Sequence, residues 1–362
     1  MTTELTRVEL ARVASADEAT ACVGDMVPVR EPSELRPGTV IHDVETGEPV
    51  LGYLKLEDAG PLRRALLQID TSPAVQRANN YRSRSRTFGY APRRPVIWRE
   101  ACALTTLGRD RPDIEATLEA YADQFSAGLK AIDPALVERG QAALEAVTHD
   151  WRLGEAKLWT SGVVNDTAQL PYHRDGFNFP VWSAMPVLRR GTRGGHLHLP
   201  EYDLVIPCAD STVTFFEGYR LVHGVTPIQR VKAKQGYRIS AVYYALRGMK
   251  NCRSAAEEAA YGRRRRTERE TEMAKRRRLA TGQSPAREPD PPAVRQWPDG
   301  VRPEKVIVRG TANCPNTDRL AATRASAVRP VPAVLQLPAP LPLPPRLRVL
   351  RPAAHGRRAG LG

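Results

Sequence analysis

The sequence predicts a mixed, mainly β fold, a sandwich or barrel of short strands packed against the helices that precede it. Three observations carry this. Between Lys157 and Arg247 the chain passes through short β-prone runs, KLWTSGVVN, FPVWSAMPVLR, GGHLHLPEYDLVIP, STVTFFEG, RLVHGVTPIQRV and YRISAVYYAL, with Gly and Pro between them. Upstream, Leu118, Tyr121, Phe125 and Leu129 recur at helical spacing as one apolar stripe. Nearer the N-terminus, PGTVIHDVETGEPVLGYLKL alternates between Gly and Pro in the manner of a β-hairpin.

In chain order, residues 1–100 read as short strands and loops, with a basic, aromatic, turn-rich stretch at NNYRSRSRTFGYAPRRP. The striped helix follows. Asp133 then caps a second helix, with Pro134 as its first residue, and the pattern carries it through ALVERGQAALEAV. These segments and the β runs make one folded unit, 1–252, whose central motifs span 157–250. Composition breaks after Cys252. AAEEAAYGRRRRTERETEMAKRRRLATG reads as an exposed basic helix, an extension over 253–282. From 283 to 362 Pro, Ala and Arg dominate, which predicts a disordered or polyproline-like tail.

The net charge of +14 over 362 residues favours an anionic partner, nucleic acid ahead of a membrane surface, although a GC-rich genome would also enrich arginine. The five cysteines are scattered and include no CxxC pair, so neither a disulfide framework nor a zinc site is expected. That usage, with no signal-like N-terminus, predicts an intracellular monomer, cytoplasmic in a bacterium or phage and nuclear in a eukaryote. No apolar run approaches the ~18 residues of a membrane span.

The stretch PYHRDGFNFP places His173 and Asp175 two apart, which at the end of a strand aims both side chains at one point. A polar loop would look the same. His223, fifty positions on, leaves an apolar strand and would complete a two-histidine, one-carboxylate face of the kind that suits Fe(II) and keeps sites open for a chelating cosubstrate and O2. Arg238 follows fifteen positions later and shares a strand face with Ser240. A buried arginine needs a partner, and a dicarboxylate such as 2-oxoglutarate would supply one, with Ser240 adding a hydroxyl bond. An arginine on a solvent-facing edge strand is the alternative.

STVTFFEGYRLVHGVTPIQRVKAKQGYRISAVYYALRGM resembles the closing half of the TET/J-binding-protein family of 2-oxoglutarate/Fe(II) dioxygenases, which oxidise the methyl group of 5-methylpyrimidines in nucleic acid. HRDGFN is similar to the segment that opens their site, and YRSRSRTFGYAPRRP, more loosely, to an upstream one. The likeness is to a compact member, of the phage, protist or fungal kind, and covers about Trp159 to Lys250. It implies a double-stranded β-helix (jelly-roll) core buttressed by the N-terminal helices, with iron on His173, Asp175 and His223 and 2-oxoglutarate on Arg238 and Ser240. It also implies DNA as the partner, Asn178 on the edge of the target base, and Tyr244 stacked on that base once flipped. One position departs: Leu246 stands where TET enzymes carry a pyrimidine-contacting histidine, which leaves both 5-methylcytosine and thymine open. A hydroxylase of protein or small molecules and a catalytically idle DNA-binding module are the rival readings.

Other residues invite weaker expectations. Arg82, Arg84 and Arg86 alternate, and would line a phosphate-facing side near Phe88 or simply form a solvated loop. Arg263, Arg264, Arg265 and Arg266, with Arg276–Arg278, would bind phosphates nonspecifically. His196 and His198 share one strand face, as exposed or groove-lining residues ahead of a second metal site, and Tyr202 and Asp203 would edge the same groove.

Overall fold

Alternating apolar residues form the first strands, β1 (Thr6–Leu10), β2 (Thr39–Asp43) and β3 (Pro49–Lys55), the last two pairing antiparallel as the expected hairpin. The computed structural model describes residues 5–72, 74–76, 82–94, 99–231, 235–281 and 348–349. Asp43 makes the hairpin turn. Its Oδ1 accepts the amides of Glu45 and Thr46 at 2.8 and 3.0 Å, and Gly47 takes the left-handed φ of +70° that follows. Its other oxygen accepts Arg12 Nε and the Tyr202 hydroxyl, both at 2.7 Å, although the carboxylate is buried. Burial would raise the Asp43 pKa, but the Tyr202 and Arg12 bonds outweigh it and hold it well below the aspartate range. The stabilisation is therefore complete above the unfolded value of ~3.9 and is lost as pH falls below it. Asp43→Ala should cost about 3 kcal/mol in denaturant unfolding at pH 7, because it strands a partly buried arginine and two turn amides. The loss should shrink toward pH 3.

A short helix, α1 (Ala16–Thr20), lies between β1 and β2, and α2 (Ala59–Leu67) follows β3 where the sequence pattern predicted only strands and loops. A two-stranded ribbon, β4 (Val75–Gln76) and β5 (Arg82–Ser83), precedes β6 (Ser85–Ala91) and β7 (Ala103–Leu104). Then come α3 (Thr106–Asp110), α4 (Pro112–Ile132) and α5 (Pro134–Ala143). The stripe of α4 is buried as its spacing requires, and Phe125 meets Tyr243 edge-on at 5.1 Å. Asp133 Oδ1 caps α5 through the Ala135 amide at 2.9 Å. That helix ends at Ala143, short of the predicted Val147, because the buried Arg152 takes the Leu144 and Val147 carbonyls.

The remaining strands are β8 (Ser161–Asp166), β9 (Ser183–Arg190), β10 (Thr192–Gly194), β11 (Leu197–Leu199), β12 (Leu204–Ile206), β13 (Thr212–Phe216), β14 (Gly224–Val225), β15 (Ile228–Arg230) and β16 (Tyr237–Tyr244). The large sheet has at its centre the order β3-β13-β9-β16-β8-β6. A small sheet, β12-β11-β14, is continued by residues 170–173 through the Val225 amide on the Leu170 carbonyl at 2.9 Å and the His173–His223 bridge. From β8 to β16 the chain thus passes from large sheet to small and back three times, the winding of a double-stranded β-helix. Met185, Val187 and Phe216 of the large sheet pack with Leu197, Leu199 and Ile206 of the small one. On its other face the large sheet carries α4 and α5.

Cys102 and Cys252, 150 positions apart, form a disulfide, which corrects the expectation drawn from spacing. Beside it the buried Glu258 accepts the Cys102 and Arg253 amides at 2.8 and 3.0 Å and both arms of Arg93. Glu258 belongs to α6 (Ala255–Ala280), the expected basic helix, whose arginines Arg263–Arg266 are exposed. By its contacts the chain divides into two units, Met1–Thr271 with Pro344–Gly362 and Glu272–Leu343; of the second, residues 272–281 are described. The predicted tail, 283–362, lies outside the described residues except β17 (Arg348–Val349), which pairs antiparallel with β1. Among the described residues no helix is long and apolar enough to cross a membrane.

Candidate metal centre and its cavity

A two-way backbone bridge builds the centre. The His173 amide meets the His223 carbonyl at 2.9 Å and the reverse bond is 3.0 Å, which sets the two rings 4.3 Å apart. His173 Nδ1 lies 2.8 Å from the Pro171 carbonyl and His223 Nδ1 3.0 Å from that of Leu221. A carbonyl can only accept, so each Nδ1 carries the proton and each Nε2 offers a lone pair. Burial and repulsion from His173 lower the His223 pKa to about 4, so that ring is neutral at neutral pH.

Asp175 is fixed by its amide on the Gly218 carbonyl at 2.9 Å. Its Oδ1 lies 3.8 Å from His173 Nε2 and its Oδ2 4.0 Å from His223 Nε2. Gly218 keeps this space open, since a Cβ there would fall 2.8 Å from Asp175 Oδ2. One ligand atom from each of the three residues fits within 4.8 Å of the others, the spacing a metal ion needs, and this is the one such group among the described residues.

The triad and one face of β16 line the same cavity. Period-two alternation turns Arg238, Ser240, Val242 and Tyr244 into the cavity, while Ile239, Ala241 and Tyr243 join the core under the helices. Arg238 is 1% exposed. Its Nε donates to the Gly195 carbonyl at 2.7 Å and its Nη1 lies 3.4 Å from Ser240 Oγ. Its Nη2 is buried with no partner among the described residues, and no carboxylate there pairs with it. The neighbouring Arg189 feels that charge: burial and then Arg238 lower its pKa. Such a socket, cationic and short of one acceptor, suits a carboxylate arriving from the cavity.

Asn178 is buried and its backbone bridges to Leu246; its carbonyl accepts Arg247 Nε at 2.7 Å. That bridge sets the Asn178 backbone opposite Leu246, two residues beyond Tyr244. Tyr244 lines both the cavity and a second groove outside it, whose walls include Arg93, Arg94, Arg99, Phe177 and Arg247. None of these five was singled out from the sequence. They come from three separate segments, and only the turn of PYHRDGFNFP hinted that Phe177 would be displayed.

Arg82, Arg84 and Arg86 share one outward face, with Ser83 and Ser85 turned inward. Arg82 reaches the Ala74 carbonyl at 3.2 Å, Arg84 pairs with Asp166 at 3.0 Å and Arg86 donates to the Asp70 carbonyl at 2.7 Å, while Phe88 is core. His198 is neither exposed nor free for a metal. It is buried, with Nδ1 2.6 Å from the Tyr172 hydroxyl and Nε2 3.3 Å from Asp203 Oδ1. His196 bonds the Pro207 carbonyl instead. Tyr202 is also core, its hydroxyl spent on Asp43.

No family model matches the chain. No curated protein matches it either. Solved structures do. NgTET1 in complex with 5mC DNA is similar over 64% of this chain and 85% of that one, at 16% identity and TM-score 0.46. An oxidoreductase of the 2OG-Fe(II) oxygenase family from Burkholderia pseudomallei is similar over 68% and 100%, at 13% identity and TM-score 0.38. The viral collagen prolyl hydroxylase of Paramecium Bursaria Chlorella virus-1, as its 2OG complex, is similar over 56% and 97%, at 12% identity and TM-score 0.31.

Proposed function

We propose that this chain is an Fe(II)- and 2-oxoglutarate-dependent dioxygenase that hydroxylates the methyl group of a 5-methylpyrimidine in DNA, 5-methylcytosine ahead of thymine. One observation carries the reading: a single cavity is lined both by three convergent metal-ligand side chains and by a buried, underpaired arginine. The donor set fits the group. Two imidazoles whose Nδ1 atoms face carbonyls, which leaves Nε2 for a ligand bond, and one carboxylate suit Fe(II), and the Arg238 fork with Ser240 suits the far carboxylate of 2-oxoglutarate. Bound together, iron and 2-oxoglutarate activate O2 for hydroxylation, with succinate and CO2 as coproducts.

The protein's own residues do the rest. His173, Asp175 and His223 hold the metal, their tautomers set by the Pro171 and Leu221 carbonyls. Met185, Leu197, Phe216 and Val225 line the cavity and limit water around it. At the rim Asn178 reads the edge of an extruded base and Tyr244 replaces its lost stacking. Leu246, facing Asn178, presents no polar group to the pyrimidine. In this reading residues 1–252 form the dioxygenase, and 253–282 a phosphate-binding extension through Arg263–Arg266 that precedes the tail, 283–362. Arg82, Arg84 and Arg86 add a backbone contact if DNA displaces their protein acceptors.

The test is to incubate the protein with Fe(II), 2-oxoglutarate and DNA carrying 5-methylcytosine or only thymine, then digest and weigh the nucleosides. The expected product is 5-hydroxymethylcytosine in step with succinate. Succinate formation stimulated by a protein or small molecule, with both DNAs untouched, would move the substrate class. Absence of any turnover would leave a binding module.

A further inference from the structure

The groove outside Tyr244 has a composition that the oxidation chemistry does not require. Arg93, Arg94, Arg99 and Arg247 line it, and no aspartate or glutamate does. Arg93 is already committed to buried Glu258. Arg94 and Arg99 sit opposite each other in a backbone bridge, and Arg247 is braced by the Tyr219 ring, 4.7 Å from its guanidinium carbon. Three arginines thus converge with no acid among the lining residues, an arrangement that repels itself until an anion arrives.

Phe177 stands on the same groove. It is 69% exposed, yet its backbone is tied on both sides. The Arg247 amide bonds its carbonyl at 2.9 Å, the Asn178 amide bonds Asp175 at 2.9 Å, and the Phe179 amide bonds Ala245 at 2.7 Å. A ring held out so firmly contributes little to the core and offers a rigid apolar face. It lies two residues beyond Asp175 and one before Asn178, so its position is fixed relative to the metal centre.

We infer that this groove is a nucleic-acid cradle, in which Arg94, Arg99 and Arg247 take phosphates and Phe177 stacks on a base neighbouring the one that enters the cavity. The inference rests on the DNA reading above and adds the surface that holds the strand. Guanidinium groups and an exposed ring on one groove suit the phosphates and bases of a strand, whereas an acidic peptide would satisfy the arginines and leave the ring unused. Tyr244 inside and Phe177 outside would then be successive platforms along one strand.

Binding without turnover tests this. The full chain, with neither iron nor 2-oxoglutarate, is titrated into a labelled 5-methylcytosine oligonucleotide, single-stranded and duplex, and followed by anisotropy at several salt concentrations. Phe177→Ala should weaken binding roughly 5- to 100-fold and leave the salt slope unchanged, and Phe177→Trp should restore it. Arg94→Ala and Arg99→Ala should each flatten the slope by about 0.7–0.9. Wild-type affinity and slope in all these variants would overturn the cradle, and so would a wild-type protein that ignores both oligonucleotides at low salt. If the binding pattern holds while no nucleoside is oxidised, the cradle stands and the methyl-oxidation reading falls. Oxidised nucleosides with Phe177→Ala binding as wild type would do the reverse.

Discussion

Asp175→Ala is expected to abolish 2-oxoglutarate turnover, with and without DNA, by removing the centre's anionic ligand. Of the two rings that remain, His223 is neutral at neutral pH, and no carboxylate is left among the cavity-lining residues. Losing an outer-shell partner of a metal ligand already costs ~10–100-fold in affinity or activity, so losing the carboxylate itself should cost more than ~100-fold. The backbone should tolerate the change. Asp175 is anchored through its amide, and the His173–His223 bridge does not involve its side chain. Circular dichroism and the unfolding midpoint should therefore stay near wild type while succinate formation and iron retention vanish. His173→Ala should behave alike. Full turnover in either variant would remove the metal from this site.

Arg238 carries the second large effect, and two readouts move in opposite directions. Arg238→Met removes the fork that would hold the far carboxylate of 2-oxoglutarate. Breaking a buried, hydrogen-bonded ion pair costs roughly 3–5 kcal/mol, which corresponds to a rise of about two to three and a half decades in the 2-oxoglutarate KM. Arg238→Lys should recover part of this, since an ammonium restores the charge without the planar fork. Without 2-oxoglutarate the balance differs. Wild type buries a charge with an unpartnered Nη2, so Arg238→Met should unfold at or above the wild-type temperature despite losing the Gly195 bond. Added 2-oxoglutarate with metal should then raise the wild-type midpoint and leave that of Arg238→Met where it was. A variant that loses stability but keeps the cosubstrate-induced shift would make Arg238 structural.

What could be read from the sequence was what depends on local periodicity. The stripe Leu118, Tyr121, Phe125 and Leu129 needs only 3.6 residues per turn, and the shared face of Arg238 and Ser240 only a period of two. His173, Asp175 and His223 do converge, although through an isolated bridge and a turn and not at the strand ends the spacing suggested. Features made by distant segments meeting were not legible. Cys102 and Cys252 look unrelated until β7 and the start of α6 pack together, and α5 stops early because Arg152, nine residues beyond it, claims carbonyls that another turn would need. Side-chain burial misled in the other direction. His198 and Tyr202 resemble groove residues because polar groups in a strand pattern suggest exposure, yet each is buried, His198 against Asp203 five residues on and Tyr202 paired across the fold with Asp43. Arg82, Arg84 and Arg86 were placed on the correct face, but the oxygens they bind lie on the neighbouring 70–74 segment and on Asp166.

The central claim is that the His173–Asp175–His223 centre and Arg238 serve one bound pair, iron with 2-oxoglutarate. Anaerobic titration of the metal-free chain with Fe(II) and 2-oxoglutarate measures this directly. The wild-type protein should develop the visible absorption band of a chelated iron–2-oxoglutarate complex, saturating at one equivalent of each. Asp175→Ala should show no band, and Arg238→Met should show it only at far higher 2-oxoglutarate. A wild-type protein without the band, or an Asp175→Ala protein that retains it, would contradict the account.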